Sequence, residues 1–188
     1  VTEWNRYVDF LRQTKMFEMK TTLLGKIESK VSDYIQDVYE KKIKKIFEKS
    51  GLYEMEMIDI KKFMNHSKHI FPYTLTGEPG LSSGASLYHL INKWCGVINV
   101  GPFGCMNSRM TEAVLTPEMS VEGKEIAANV AGETVDIANY KENIDVLPFL
   151  SIECDGNPFS QILEARFETF ILQAERLYKI MTSERNKK

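Results

Sequence analysis

A short β-branched segment at residues 97–100 (VINV) places the strongest constraint on how this chain can fold. It is bounded by Gly96 and Gly101, and such a run is typical of a strand that is buried in a parallel sheet. A second segment of this kind covers residues 146–152, with Pro148 near its start, where a missing N–H is tolerated. Turn residues and a helical pattern follow each segment. Two such units predict parallel strands that are joined by a right-handed crossover.

The first 70 residues differ in character, because their apolar residues recur at helical spacing and no proline occurs before Pro72. Ser50-Gly51 is a typical helix end, since glycine readily adopts the left-handed conformation after the last turn. A shorter helix is predicted at about residues 58–64. The chain is therefore predicted to be α/β, with a Rossmann-like parallel sheet flanked by helices. The predicted parts are a helical segment at 1–70, the Rossmann-like α/β domain at 71–182 and a disordered tail at 183–188.

The charge balance and the cysteine count exclude several classes of protein. The 24 basic and 26 acidic residues give a net charge of −2, so the basic excess of nucleic-acid-binding proteins is missing. No apolar run of about 18 residues occurs, which argues against a membrane protein. Three cysteines without a pairing pattern favour a reducing, cytoplasmic location. Because the chain opens without an initiator methionine or a signal peptide, we interpret it as part of a longer protein.

Cys105 is the leading candidate for a functional residue, because it lies in a loop directly after the first predicted strand. Gly101, Pro102 and Gly104 give this loop a shape in which backbone amides can converge on a thiolate or a bound anion. The amides and the N-terminus of the following helix favour the thiolate, which is the form that binds metals. The alternative is a small apolar residue in a tight turn. Cys95, at a predicted helix end, is expected in the core.

Other candidate residues lie in loops that surround the same predicted crevice. Cys154 follows the second strand, and ligands of α/β sheets bind beyond the carboxyl ends of the strands. The alternative for Cys154 is a half-buried thiol with no role. Asp155 could hydrogen-bond a ligand hydroxyl or act only as a turn and N-cap residue. Glu78 could line the crevice or cap a helix. His66 and His69 are interpreted as a solvated pair, since no further metal ligand lies near them in sequence.

Three segments in the second half of the chain, taken in their order along the sequence, carry a family resemblance. They are residues 101–109 (GPFGCMNSR), 152–158 (IECDGNP) and 164–170 (EARFETF), preceded by Gly77-Glu78 and Ser83-Gly84. Together they resemble the superfamily of 2-hydroxyacyl-CoA dehydratases and benzoyl-CoA reductases. More closely, they resemble the C-terminal part of the large CoA-substrate-specific enzyme activases, the activators of 2-hydroxyglutaryl-CoA dehydratase. The resemblance covers about residues 70–178. Relatives often have proline where this chain has Asn107.

The resemblance implies one Rossmann-like subdomain of an iron–sulfur protein, in which cysteines from several subdomains hold a 4Fe–4S cluster. Cys105 stands at the position of one ligand, and Phe103, Gly104, Asp155 and Glu78 would lie around the cofactor. Such a cluster passes single electrons to an acyl-CoA substrate with the help of an ATP-using activator. The implied partners are the rest of the parent chain and dehydratase or activase subunits. Because one cysteine cannot hold a cluster, this segment alone is expected to bind none and to be inactive.

Two alternative hypotheses stay open on the residues alone. In the first, the same α/β domain is non-catalytic and binds a nucleotide, CoA or a partner subunit in the crevice without a cluster. In the second, the chain is a structural or interaction module, and the N-terminal helices are its functional part. The iron content of the full-length protein distinguishes these hypotheses from the iron–sulfur hypothesis.

Overall fold

The computed structural model describes residues 23–51, 59–73, 75, 77–156 and 160–185 and shows a mixed α/β protein. The elements in chain order are α1 (Leu23–Glu48), α2 (Ile60–Ser67), α3 (Glu78–His89), β1 (Val97–Pro102), α4 (Met106–Glu118), α5 (Val121–Ala131), α6 (Ala138–Lys141), β2 (Phe149–Cys154) and α7 (Gln161–Arg185). The chain separates into two compact units, Val1–Lys61 and Lys62–Lys188. Within the described ranges, no helix is long and apolar enough to cross a membrane.

Helix α1 confirms the helical prediction for residues 23–48, and the predicted helical stripe before it lies outside the described residues. The apolar stripe of α1 is exposed, as Ile27 and Tyr34 illustrate. Glu40 and Lys44 are buried instead, with 2.5 Å between Oε1 and Nζ. The periodicity thus predicted the helix correctly, but it did not determine which side of the helix is covered.

The two predicted strands pair in parallel, with Val97 opposite Phe149 and Pro102 opposite Cys154. They form the whole sheet within the described part of the chain. The second strand begins later than predicted, at Phe149, because the residues before it are bound elsewhere. Val146 forms an antiparallel bridge with Ser120, and the N–H of the next residue donates to the carbonyl of Met119 at 2.9 Å.

The core of the second unit lies among α3, α4, α5, α6 and the C-terminal half of α7. Its fully buried leucines are Leu87, Leu90, Leu115, Leu147 and Leu177. Helix α5 starts and ends as its sequence dictates: the Ser120 hydroxyl accepts a hydrogen bond from the N–H of Gly123 at 3.0 Å. Gly132 then ends the helix in the left-handed conformation. These local signals bring α5 against α3, where Lys124 becomes buried.

Two further boundaries differ from the sequence predictions. Helix α2 covers Ile60–Ser67, shifted toward the C-terminus relative to the predicted 58–64. Residues 183–185, which were predicted to belong to a disordered tail, form the last turn of α7. Helices grow by one hydrogen bond for each added residue, so a polar sequence at a helix end can continue the helix without burying a face. Residues 186–188 lie outside the described residues.

Candidate functional site

Cys105 lies in the loop that leaves β1, as predicted, and the structure places it at the N-cap position of α4. The N–H of Cys105 donates to the carbonyl of Pro102 at 3.1 Å, and Gly104 turns the chain with a φ of 72°. The Cys105 side chain makes no capping hydrogen bond within the described structure. The first amides of α4 are therefore left for water or a ligand, with a half-buried thiol beside them.

Cys154 lies at the same edge of the sheet, because the two strands are neighbours and run parallel. Pro102 is opposite Cys154 in the register, and the N–H of Phe103 donates to the Cys154 carbonyl at 3.0 Å. Cys154 is exposed and Cys105 is half-buried, and neither forms a disulfide. Cys95 is partly buried and packs against the core, as expected. The edge therefore carries two of the three thiols.

The N-terminus of α3 comes to this edge as well. Gly77 precedes α3 with a φ of 138°, and a Cβ atom built on it would lie 3.6 Å from Oδ1 of Asn107 in the first turn of α4. Glu78, the first residue of α3, is exposed next to this contact. Two helix N-termini thus lie side by side, and each carries a partial positive charge that favours an anion.

The remaining predicted residues lie on the rim of this region, which we call the carboxyl edge: residues 77–78, 102–107 and 154–155. Asp155 follows Cys154 and is exposed. Phe103 is 72% exposed and Met106 is 71% exposed, so two large apolar side chains flank the Cys105 turn without cover. The structure therefore brings Glu78, Phe103, Gly104, Cys105 and Asp155 to one end of the α/β unit.

A buried polar network beneath the edge fixes the start of α4 against the sheet. The Asn99 amide donates to the Ser108 hydroxyl at 3.0 Å and to the Ser151 hydroxyl at 3.0 Å, so it joins β1, α4 and β2. Gly101 permits this approach, because a Cβ atom there would collide with the Ser108 side chain. The position of Cys105 thus depends on a small residue in the strand below it.

An ion pair on the outer side joins α4 to the end of β2. Arg109 contacts Glu153 through two atom pairs, Nε–Oε1 at 2.5 Å and Nη2–Oε2 at 2.6 Å. Glu112 lies 3.7 Å from the Arg109 guanidinium. A cleft of about 310 Å³ opens beside this pair and continues to Arg166, whose Nη2 donates to the Ser151 carbonyl at 3.3 Å. The charges that line the cleft are balanced in sign.

A second group of ionisable residues lies away from the carboxyl edge, and it was not predicted from the sequence. Lys124 is fully buried, and its ammonium donates to the carbonyls of Leu87 and Tyr88 at the end of α3, the latter at 2.9 Å. Burial lowers the pKa of Lys124 from 10.5 to about 8, with Glu133 opposing this shift and Lys62 adding to it.

His66 belongs to the same group, which we call the lysine cluster: Lys62, His66, Tyr88, Lys124 and Glu133. The prediction of a solvated His66–His69 pair was wrong for His66, which is fully buried. Its Nδ1 lies 2.9 Å from the Lys62 carbonyl, and its Nε2 lies 3.6 Å from Glu133. Burial lowers the pKa of His66. His69 instead pairs with Glu118 at 3.3 Å.

A signal for Lys124 exists in the sequence. Lys124 stands three residues after Val121 and four before Ala128, inside the buried stripe of α5. A lysine within an apolar stripe has to reach an acceptor inside the protein, because an unpaired buried charge is very unfavourable. The end of α3 supplies such acceptors in its last carbonyl groups. Lysine residues in apolar stripes are therefore worth testing as helix caps.

The described residues fit only a part of a metal site. Within the ranges that the structure describes, no group of three or more His, Cys, Asp and Glu side chains could hold a metal ion. Cys105, with Cys154 on the neighbouring strand, is the set of soft ligands at the carboxyl edge. A 4Fe–4S cluster needs four ligands of this kind, so the others would come from outside the described residues.

Comparisons with protein-family models, with curated proteins and with solved structures give no match to this chain.

Proposed function

We propose that this chain is a Rossmann-like domain of a protein related to 2-hydroxyacyl-CoA dehydratases and their activases. In this proposal Cys105 supplies one thiolate to a 4Fe–4S cluster, and residues elsewhere in the parent protein complete it. The observation that supports the proposal best is the position of Cys105. It stands at an uncapped helix N-terminus, on an edge that also carries Cys154 and the start of α3. The cluster, when bound, would supply single-electron transfer to an acyl-CoA substrate.

The residues of this chain would hold and shield such a site. The free amides of the first turn of α4 favour a thiolate or an anionic cluster at Cys105. Phe103 and Met106 are exposed in the described structure, and they would exclude water once the rest of the protein covers them. The Asn99 network would keep the turn in place. A cytoplasmic location suits this role, since free thiols persist in a reducing compartment.

The test is the iron and sulfide content of the full-length protein, purified without oxygen. The wild-type protein should contain a 4Fe–4S cluster, and Cys105→Ser should lose most of the iron. Cys95→Ser is the matched control, because Cys95 packs against the core rather than at the edge. A wild-type protein without iron, or a Cys105→Ser variant with the full iron content, would disprove the proposal. Cys154→Ser shows separately whether the neighbouring thiol is a second ligand.

A second candidate function is binding of a nucleotide or CoA at the carboxyl edge without a cluster. It is favoured by the two adjacent helix N-termini and by the arginines of the cleft, Arg109 and Arg166. Titration calorimetry with CoA tests it directly. Arg166→Gln should weaken CoA binding, whereas Arg176→Gln should not, because Arg176 donates to the Asn143 carbonyl away from the cleft. A lack of heat at millimolar CoA would exclude this function.

A further inference from the structure

Helix α1 exposes a continuous apolar stripe. Ile27, Val31, Tyr34 and Val38 recur at alternating spacings of four and three residues, which places them on one face of the helix. All four side chains are exposed, and Tyr34 is 70% exposed. Contiguous apolar surface of this kind is uncommon on a monomer and marks a candidate interaction site.

Lysines continue this stripe toward the C-terminus of α1. Lys41 and Lys45 follow Val38 at the same spacing, and both are exposed. We call residues 27, 31, 34, 38, 41 and 45 the basic face. Among the side chains that the structure describes in residues 27–49, the exposed charges are five lysines and one glutamate: Lys30, Lys41, Lys42, Lys45, Lys49 and Glu48. The other acidic residues of this range whose burial is described are half-buried or buried: Asp33, Asp37 and Glu40.

Helix α7 has an exposed face of the opposite charge, which we call the acidic face. It consists of five exposed residues at the same alternating spacing: Glu164, Glu168, Ile171, Glu175 and Tyr178. The core of the unit is contacted by another side of this helix, through Leu177 and Met181. Two basic residues of α7 bind within the fold, since Arg166 and Arg176 donate to main-chain carbonyls. Lys179 follows the last residue of the acidic face.

The two faces match when the helices run antiparallel. With Lys45 opposite Glu164, the shared spacing gives five opposed pairs: Lys45–Glu164, Lys41–Glu168, Val38–Ile171, Tyr34–Glu175 and Val31–Tyr178. Two pairs join opposite charges, two bury apolar side chains, and the remaining pair sets a phenol against a carboxylate. A parallel arrangement with Lys45 opposite Glu175 would instead place Val38 against Glu168. Alternating spacings of four and three residues suit two helices that cross at about 20°.

We propose that the basic face of α1 binds the acidic face of α7 in a second copy of this chain. The charges select a second copy as the occupant, because the chain itself carries a face of complementary charge and equal spacing. The second copy would bind in return through its own α1, so the dimer would contain two identical contacts and close on itself. The proposal does not depend on the cluster at Cys105, since neither face includes a residue of the carboxyl edge.

The test is the oligomeric state of the 188-residue chain, measured by sedimentation equilibrium in a reducing buffer that keeps the free thiols from cross-linking the copies. The wild type is expected to form a dimer. An α1 variant carries Lys41→Glu and Lys45→Glu, and an α7 variant carries Glu164→Lys and Glu168→Lys. Each variant alone should raise the Kd of the dimer at least about tenfold, because repulsion replaces attraction in both contacts.

An equimolar mixture of the two variants tests whether the contact joins two copies. In a mixed dimer, the new glutamates of the α1 variant face the new lysines of the α7 variant, and the other contact pairs two wild-type faces. The mixture should therefore form a heterodimer with a Kd within about threefold of the wild-type value, although neither variant dimerises well alone. Far-UV circular dichroism checks that the variants fold, as expected for substitutions of exposed residues.

A chain with Lys61→Glu and Lys68→Glu is the matched control, because both lysines are exposed and lie outside the two faces. Its net charge changes as much as that of the α1 variant, yet its Kd should equal the wild-type value. An equal loss in this control would show that net charge, rather than the basic face, determines association, and the proposal would be wrong.

Three further outcomes would overturn the proposal. A wild-type chain that stays monomeric up to about 1 mM would exclude the dimer, and co-sedimentation of that monomer with phosphatidylserine vesicles would assign the basic face to an anionic membrane surface. An α7 variant that dimerises like the wild type would place α1 against another α1. A mixture of the two variants that remains monomeric would exclude the contact between α1 and α7 of different copies.

Discussion

The carboxyl edge and the lysine cluster both gather ionisable side chains, but they treat them in opposite ways. At the edge, Cys154 is exposed and Cys105 stands beside the uncapped start of α4. In the cluster, Lys124 and His66 are fully buried, and the Lys124 ammonium binds two carbonyls of the fold. Because the Lys124 ammonium is hydrogen-bonded within the protein, we assign it a structural role. At the carboxyl edge, by contrast, Phe103 and Met106 are exposed beside the Cys105 turn, and exposed apolar side chains of this kind are the basis of our binding proposal.

The buried lysine has a structural explanation. The last carbonyls of a helix lack partners within the helix and carry partial negative charge, so a cation is favourable there. Lys124 supplies that cation to the end of α3 from the neighbouring helix α5. Its lowered pKa is a consequence of burial and does not by itself indicate a catalytic lysine. The comparison thus assigns stability to the lysine cluster, whereas binding at the carboxyl edge is our proposal.

The largest effect on the free energy of unfolding is expected from substitution of Lys124. Lys124→Ala should lower the free energy of unfolding by about 3 kcal/mol, because it leaves a cavity and two carbonyls without their donor. Lys124→Met should change it by only about 1 kcal/mol, since it keeps the stem and removes the buried charge. Cys105→Ala should change it by about 0.5 kcal/mol or less. Urea denaturation measures the free energy of unfolding of all three variants. A loss in Cys105→Ala as large as that in Lys124→Ala would contradict the assignment of stability to the lysine cluster rather than to the carboxyl edge.

The pH dependence of stability gives the next effect. The pKa of Lys124 is about 8 in the folded protein and 10.5 in an ordinary environment, so between these values the unfolded chain binds more protons. Raising the pH from 8 to 10.5 should therefore increase the free energy of unfolding by about 3 kcal/mol through this residue at most.

Lys124→Met is the control for this pH dependence. The other ionisable groups of the cluster, Lys62, His66, Tyr88 and Glu133, remain in both proteins, so the difference between the two stability curves isolates Lys124. Parallel curves for the wild type and the variant between pH 8 and pH 10.5 would contradict the assignment of the lowered pKa to Lys124.

Substitution of Gly101, beneath the carboxyl edge, is expected to have an intermediate effect on the free energy of unfolding. Gly101→Ala should cost about 2 kcal/mol, because the new methyl group collides with Ser108 and forces α4 away from β1. Gly104→Ala should cost about 1 kcal/mol, since its surroundings are open and only the left-handed backbone is strained. Thermal unfolding of both variants tests this order. A larger loss in Gly104→Ala would show that the Cys105 turn, rather than the packing beneath it, determines the position of α4.

The smallest effect is expected for the ion pair between Arg109 and Glu153. Arg109 is 57% exposed, and exposed pairs contribute little because water and salt screen them. A double-mutant cycle with Arg109→Gln and Glu153→Gln should give a coupling energy of about 0.5 kcal/mol that falls further in high salt. A coupling near that of a buried pair would mean that the edge is more enclosed than its exposure indicates.

The sequence predicted the elements of this chain better than their surroundings. The β-branched run at 97–100 and the apolar run near 150 predicted two parallel strands, which the structure confirms, and the structure shows that the two strands are neighbours. The placement of Cys105 and Cys154 at one edge followed from that pairing. For Glu78 the sequence left two alternatives open, a crevice residue or a helix cap, because its approach to the same edge depends on how α3 packs against α4.

By itself, the sequence determined which segments form the helices and strands, that glycine is favoured after the end of α1, and that a thiol follows the first strand; it did not determine that Ile98 and Val100 of this strand are exposed rather than buried. These properties depend on neighbours in the chain. Only the tertiary structure decided that His66 is buried, that the apolar stripe of α1 is exposed and that Lys124 caps a helix other than its own. Burial and pairing depend on residues that are distant in sequence. A hydrophobic pattern of period 3.6 or 2 shows that one face of a helix or strand is more apolar than the other, but it does not show which part of the protein covers that face.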